Sequence, residues 1–160
     1  MKAEEIIENL GLTKHIEGGF YKETYRAKTS IMLENGKVRN TGTAIYYLLR
    51  GDDKSHFHKV GSDEIWLFHS GEAIEMLIIT EDGNLQTKIL GNAFDKGEEP
   101  QITILANTWF AAKIRSGKEH AFVSCVVAPG FEFDDYQIGH KQELIKLFPK
   151  LEKDIEGMCL

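Results

Sequence analysis

The chain has two cysteines, three prolines and no wholly apolar run longer than residues 44–49. Two cysteines are too few for a disulfide scaffold. The apolar run falls far short of the ~20 residues a membrane helix needs. Positive charge is not in excess either. Lys plus Arg is 19 against 25 Asp plus Glu, a net charge of −6. That balance argues against binding a nucleic-acid backbone, which requires many cations to displace counterions. No stretch rich in Pro, Gly or Ser divides the chain, and no repeat is visible. Its 160 residues therefore read as one domain, 1–160. The opening Met1-Lys2-Ala3-Glu4-Glu5 places acids where a signal peptide is basic, so the expected location is cytoplasmic. Cys125, flanked by Phe122, Val123, Val126 and Val127, reads as a buried, inert thiol.

What is present is mostly short apolar alternation. Ile6, Ile7 and Leu10 mark one face of a short N-terminal helix that Gly11 can end. Leu144, Leu147, Phe148 and Leu151 fall at helical spacing near the other end, with Pro149 stopping the helix and a separate turn expected beyond. Between them the pattern predicts strands at 20–26, 43–49, 64–69, 73–80, 85–90, 101–105, 108–114 and 121–128. Asn35-Gly36 signals a hairpin, and Gly51-Asp52-Asp53, Ser70-Gly71, Asp82-Gly83 and Ser116-Gly117 punctuate the rest. Pro129-Gly130 suits a type II turn. Many short strands at this spacing predict an all-β sandwich or barrel.

One window carries candidate chemistry. His56 and His58 share a face if 55–58 is a regular strand, and Glu64 opens the strand that comes after Gly61-Ser62. Glu64, Trp66 and Phe68 share parity, which predicts that Glu64 points inward with those large side chains. Two imidazoles and a carboxylate from neighbouring strands suit Fe, Mn, Ni or Zn. They equally suit a metal-free pair in which a carboxylate orients a histidine. His69 lies on the opposite parity and reads as structural.

The spacing Gly51-x4-His56-x-His58-x5-Glu64-x6-Gly71 resembles the first cupin motif. Three longer stretches resemble one cupin branch, Cupin_5, also called DUF985. They are His15-Ile16-Glu17-Gly18-Gly19-Phe20-Tyr21-Lys22-Glu23-Thr24-Tyr25-Arg26; then Thr43-Ala44-Ile45-Tyr46 with Ser62-Asp63-Glu64-Ile65-Trp66; then Trp109-Phe110-Ala111-Ala112 with Val127 to Tyr136. The resemblance spans roughly residues 5–150. It implies a double-stranded β-helix, the jelly-roll barrel of RmlC-like cupins, with short helices near both termini. The five residues between His58 and Glu64 exceed the spacing of metal-binding cupins. Phe110 stands where their second motif supplies a histidine, and Asn107 takes a common glycine position.

Against that background the chain is expected to bind a small polar molecule in its barrel. The first expectation is a metal-independent isomerase or epimerase of a sugar-like compound, by fold analogy with dTDP-dehydrorhamnose 3,5-epimerases. His58 would abstract a proton, Glu64 would orient it and Tyr46 would return a proton. Glu17, Trp66 and Phe110 would contact the ligand. The second is a metal-dependent dioxygenase or isomerase with His56, His58 and Glu64 holding Zn, Ni, Mn or Fe; weak divalent binding with no metal required is expected. The third is a binding module without catalysis. No nucleic-acid or membrane partner is expected, and the strand edge at 20–26 suggests a homodimer.

Overall fold

The computed structural model describes residues 2–160. In chain order the elements are α1 (Ala3–Leu10), β1 (Thr13–Lys14), β2 (Phe20–Arg26), β3 (Ser30–Met32), β4 (Val38–Asn40), β5 (Thr43–Arg50), β6 (Lys54–Val60), β7 (Asp63–Gly71), β8 (Ile74–Ile79), β9 (Leu85–Leu90), β10 (Gln101–Ile104), β11 (Phe110–Ile114), β12 (His120–Ala128), β13 (Tyr136–Ile138), α2 (Lys141–Leu147) and α3 (Glu152–Met158). Six strands form one sheet in the order β1-β2-β5-β12-β7-β10, and five form a second, β13-β6-β11-β8-β9. Neighbouring strands pair antiparallel throughout. The sheets enclose one apolar interior, the expected all-β jelly roll with short helices near both ends. β3 and β4 make a separate hairpin. Its turn contains Asn35-Gly36, and Gly36 takes the left-handed φ of 80° such turns require.

The interior is set by strand parity. Along β12 buried and half-buried residues alternate, so Ala121, Val123, Cys125 and Val127 point inward. Ala121, Val123 and Cys125 meet Tyr47 and Leu49 from β5, Trp66 from β7, Met76 and Ile78 from β8, and Phe110 and Ala112 from β11. Outside the five-stranded sheet, α2 and α3 bury Leu144, Ile155 and Met158 against Phe57, Leu77, Ile79 and Ala111. Each such large side chain contributes about 1.5–3 kcal/mol. Pro149 interrupts the C-terminal helical stretch as the sequence indicates. The segment beyond it is a second helix, α3, rather than a turn, because Ile155 and Met158 supply another apolar face. At the N-terminus, Gly11 ends α1 with φ 65°, while Ala3 and Ile6 pack on Leu12 and Leu48.

Two turn positions divide in outcome. Gly130 is not left-handed, so Pro129-Gly130 is not a type II turn. The glycine is needed because the chain runs close to β4: its N–H donates to Asn40 O at 2.7 Å, and an added Cβ would lie 3.0 Å from that oxygen. Asn107 does adopt φ 61°, a conformation asparagine tolerates better than most residues. No helix among the described residues is long and apolar enough to cross a membrane.

Candidate functional site

Glu17 reaches the interior because two glycines come directly after it. An added Cβ on Gly18 would overlap the carbonyl oxygen of Lys54, and one on Gly19 would sit 2.8 Å from Leu48 O. Both glycines have positive φ, 115° and 70°. The loop can therefore lie directly on β5 and β6. Tyr47 donates its hydroxyl to Gly18 O at 2.7 Å, and the Glu17 carbonyl accepts from both the backbone N–H (3.0 Å) and the Nδ1–H (2.6 Å) of His56. Held this way, the Glu17 carboxylate is buried, accepting from Ser55 Oγ at 2.8 Å and lying 3.2 Å from His58 Nε2.

The pairing of Ser55 with His58 rests on a register shift. Between β6 and β11 the partners run Ala112↔Ser55 and then Phe110↔His58, which leaves an extra residue in β6. Such a bulge breaks the two-residue parity. Ser55 and His58 consequently face the same carboxylate. Both nitrogens of His58 are occupied. Nδ1–H donates to the His56 carbonyl at 2.7 Å. Nε2 faces Glu17, and two bare lone pairs would repel at 3.2 Å, so a proton lies between them. His15 differs. Its Nδ1 accepts the Glu17 backbone N–H at 3.2 Å. The ring is neutral: burial, reinforced by neighbouring His58 and opposed by Glu17, holds its pKa below the usual value.

Opposite lies Glu64. On β7 it pairs with Val127 on one side and Ile104 on the other and points inward with Trp66, as their shared parity predicts. Asp63 turns out and accepts Ala106 N–H at 2.8 Å. Burial, then the nearby Glu17 charge, raises the Glu64 pKa to about 8, so it holds its proton at pH 7. The Trp66 indole N–H eases ionisation slightly yet lies outside hydrogen-bonding geometry, and it remains an unpaired buried donor. The Tyr136 hydroxyl is likewise buried without a partner. Its ring stacks on His58 at 5.5 Å, and burial raises its pKa. His15, Glu17, His58, Glu64 and Tyr136 line a cavity of about 280 Å³ bounded also by Tyr21, Cys125 and Phe131.

The residues expected from sequence fall into two sets. Glu17, His58 and Glu64 come together at the cavity. His56 does not join them: the bulge that turns Ser55 inward leaves its ring on the Glu17 carbonyl. Tyr46 is outward, tilted against Phe122 at 5.4 Å under α1. Neighbouring Tyr47 and distant Tyr136 face inward instead. Trp66 and Phe110 are each 1% exposed and form packed backing, with Phe110 4.3 Å from the His58 ring. The sequence reading did not single out Ser55, His15 or Tyr136 for the site. Only a β6 bulge would have marked Ser55, and alternation does not reveal one.

Two antiparallel sheets rolled around a polar cavity define a cupin barrel. The chain belongs to the family described as Cupin superfamily (DUF985), whose sequence model matches residues 4–139. It is 29% identical over 167 aligned residues to the uncharacterized protein YML079W of Saccharomyces cerevisiae, covering 96% of this chain and 83% of that one. A hypothetical protein from Leishmania major superposes with a TM-score of 0.95 at 29% identity, covering 99% of both chains. Protein SO0799 from Shewanella oneidensis gives 0.93 at 32% identity, covering 100% of this chain and 98% of that one. Oxalate decarboxylase from Bacillus subtilis gives 0.57 at 12% identity, covering 91% of this chain and 36% of that one, a likeness of fold alone.

Many cupins hold a metal, but this donor set does not fit one. His58 has no free nitrogen, His56 Nδ1 is spent on a carbonyl, and Phe110 fills the space beside the imidazole. Among the described residues no three His, Cys, Asp or Glu side chains converge as ligands. Titration calorimetry of chelator-treated protein with Zn²⁺, Ni²⁺ and Mn²⁺ is expected to give only weak, substoichiometric heats. One tight site per chain, lost in both His56→Ala and His58→Ala, would contradict this.

Proposed function

We propose that this chain is an isomerase or epimerase that shifts a proton beside the carbonyl of a small, sugar-like molecule without using a metal. The observation that carries the reading is one cavity with two carboxyl groups in different environments. Glu17 is fixed by Ser55 and His58, whereas Glu64 keeps its proton to about pH 8. A fixed carboxylate with free lone pairs, facing a carboxyl group that keeps its proton, can serve as an acid–base pair. The roles differ from a simple histidine base. With both His58 nitrogens engaged, the free lone pairs belong to Glu17, so Glu17 takes the proton and His58 positions it. As the C–H bond breaks, its electrons form C=C and the carbonyl π pair moves to oxygen. That oxygen takes the Glu64 proton. In isomerisation Glu17 gives its proton to the former carbonyl carbon while Glu64 takes the hydroxyl proton of the adjacent carbon, whose oxygen becomes the new carbonyl. In epimerisation the enol turns its other face to Glu17, which protonates the same carbon, and Glu64 takes back the proton from the enol oxygen.

Proton nuclear magnetic resonance of candidate sugars in D2O tests this. Solvent deuterium should enter at the carbon beside the carbonyl. Glu17→Gln and Glu64→Gln should each slow entry by about 10²–10⁴. Exchange that never occurs leaves the cavity as a binding site only, and exchange that survives both changes removes Glu17 and Glu64 as the acid–base pair. We further propose a homodimer, supported by an unpaired stretch of β2 edge. β1 covers only Phe20 and Tyr21, which leaves residues 22–26 open on that side.

A further inference from the structure

The mouth of the cavity has a cation, but the protein has already used it. Arg26 donates Nε–H to Glu23 Oε1 at 3.0 Å and Nη2–H to Glu23 Oε2 at 2.8 Å and to Phe131 O at 3.2 Å. Nη1–H goes to Asn40 Oδ1 at 2.9 Å and to Glu132 Oε1 at 2.7 Å. A guanidinium has five N–H donors, and each has an acceptor here. Lys22, the other cation at the cavity, donates one Nζ–H to Leu10 O at 2.8 Å, which holds it toward the end of α1 but leaves its charge and two N–H groups. Against these two stand the carboxylates of Glu17, Glu23 and Glu132 on the lining, while Glu64 there keeps its proton. The imidazoles add no free cation, since His58 is committed to Glu17 and a carbonyl, and His15 accepts a backbone N–H at Nδ1. A phosphate or carboxylate is normally met by a free guanidinium fork or an uncommitted lysine. Among the described residues this cavity presents no free fork, and its lysine is held by the Leu10 carbonyl rather than aimed by a partner into the interior.

The interior instead offers uncharged recognition. The buried Tyr136 hydroxyl has no partner among the described residues, and the carboxyl groups of Glu17 and Glu64 lie within the same cavity. Tyr21 and Phe131 supply ring surface. Hydroxyl groups on a ligand match the first set, and the C–H face of a sugar packs on the second. A volume of about 280 Å³ lies just under the range that takes drug-sized ligands and suits a single small ring or chain.

We propose that the site selects a free, uncharged polyhydroxy carbonyl compound of monosaccharide size and rejects its phosphorylated or carboxylated forms, because Glu23 and Glu132 neutralise Arg26 at the mouth. This rests on the reading of the cavity as a proton-transfer site. It gives that site a different substrate class from the anionic nucleotide sugars suggested by fold analogy.

Saturation-transfer magnetic resonance, with D-fructose, D-glucose and D-xylose set against fructose 6-phosphate and glucose 6-phosphate, tests the selection. At least one free sugar should bind, and its phosphate ester should bind at least ~100-fold more weakly, because like charges face it across the mouth. The double variant Glu23→Gln with Glu132→Gln leaves the Arg26 charge unopposed. Both glutamates are partly exposed, so the fold should persist. In that variant the gap between sugar and ester should narrow at least ~10-fold. An ester that binds wild-type protein as tightly as its parent sugar overturns the proposal. So does a panel in which no free sugar binds, or a gap that the double variant leaves unchanged. Deuterium exchange measured on the same samples separates the two ideas. A phosphorylated sugar that exchanges sinks the selection and keeps the acid–base chemistry. A free sugar that binds without exchanging does the reverse.

Discussion

Stability should fall as pH rises from about 5 to 8, and Glu64→Gln should abolish most of that fall. Unfolded, Glu64 titrates at its ordinary 4.5; folded, it keeps its proton to about 8. In that window the folded state binds the extra proton, so raising the pH favours the unfolded chain. Above 8 both states are ionised and the slope vanishes. The full penalty is about 3–5 kcal/mol, a large share of the 5–15 kcal/mol typical of a domain. His15 acts in the opposite sense. Its neutral form is favoured by folding, so its contribution is full above its unfolded value of 6.5 and is lost as pH falls. Subtracting the variant's curve from the wild-type curve removes that component. Urea denaturation at pH 5, 6, 7, 8 and 9 gives both curves, and parallel curves would mean that Glu64 ionises normally in the folded protein.

That penalty bears on function. A carboxyl group kept neutral in a buried site lowers stability above its ordinary pKa, yet it supplies an acid at pH 7 where ordinary glutamates have none. The protein's other strong carboxylate arrangements differ. Asp135, bonded by Arg39 and Lys37, has its pKa held below the usual value and binds the β3–β4 hairpin to the segment before β13. At Glu64 burial sets the direction instead, with no cation paired to it among the described residues.

Much of the barrel was legible because alternation is a local signal. β2 and β9 have the bounds the sequence indicates, and β5, β7 and β12 differ only at their ends. The inward pointing of Glu64 was readable from its parity with Trp66, because a bulky apolar side chain fixes the face of its strand. Parity failed where a bulge entered. Reading β6 as regular paired His56 with His58, whereas the extra residue pairs Ser55 with His58 and sends the His56 ring to the Glu17 carbonyl. Tyr46 and Tyr47 show the same limit, since two adjacent tyrosines leave the inward one undetermined until the register with β12 is known. Tyr136 comes from a segment far along the chain and meets His58 through the β13–β6 pairing, a long-range contact no local pattern encodes. Glu17 was detectable for a different reason: it lies in the His15–Arg26 stretch that resembles the family, and the structure shows that the two glycines after it permit the close approach to β5 and β6.

Gly18→Ala should therefore be among the most damaging small substitutions in the chain. The added methyl group overlaps the Lys54 carbonyl oxygen, which belongs to the β6 backbone and has no rotamer with which to move aside. At φ 115° the alanine is also in a region L residues rarely adopt. The combined cost should be about 3 kcal/mol or more. Gly36→Ala provides the comparison. Gly36 also has positive φ, but nothing lies within 4 Å of an added Cβ, so only the backbone cost of about 1–2 kcal/mol applies. The functional consequence should be larger at Gly18. Its carbonyl is the acceptor for Tyr47, and the preceding carbonyl is the acceptor for His56, so moving the loop off β6 loosens both anchors of Glu17. The His58 Nε2 to Glu17 contact should open with them. Urea denaturation of both variants measures the first effect, and imidazole ¹⁵N resonances of His58 report the second. A Gly18→Ala protein as stable as Gly36→Ala, with its His58 signals unmoved, would show that the Glu17 loop does not depend on its close approach to β6.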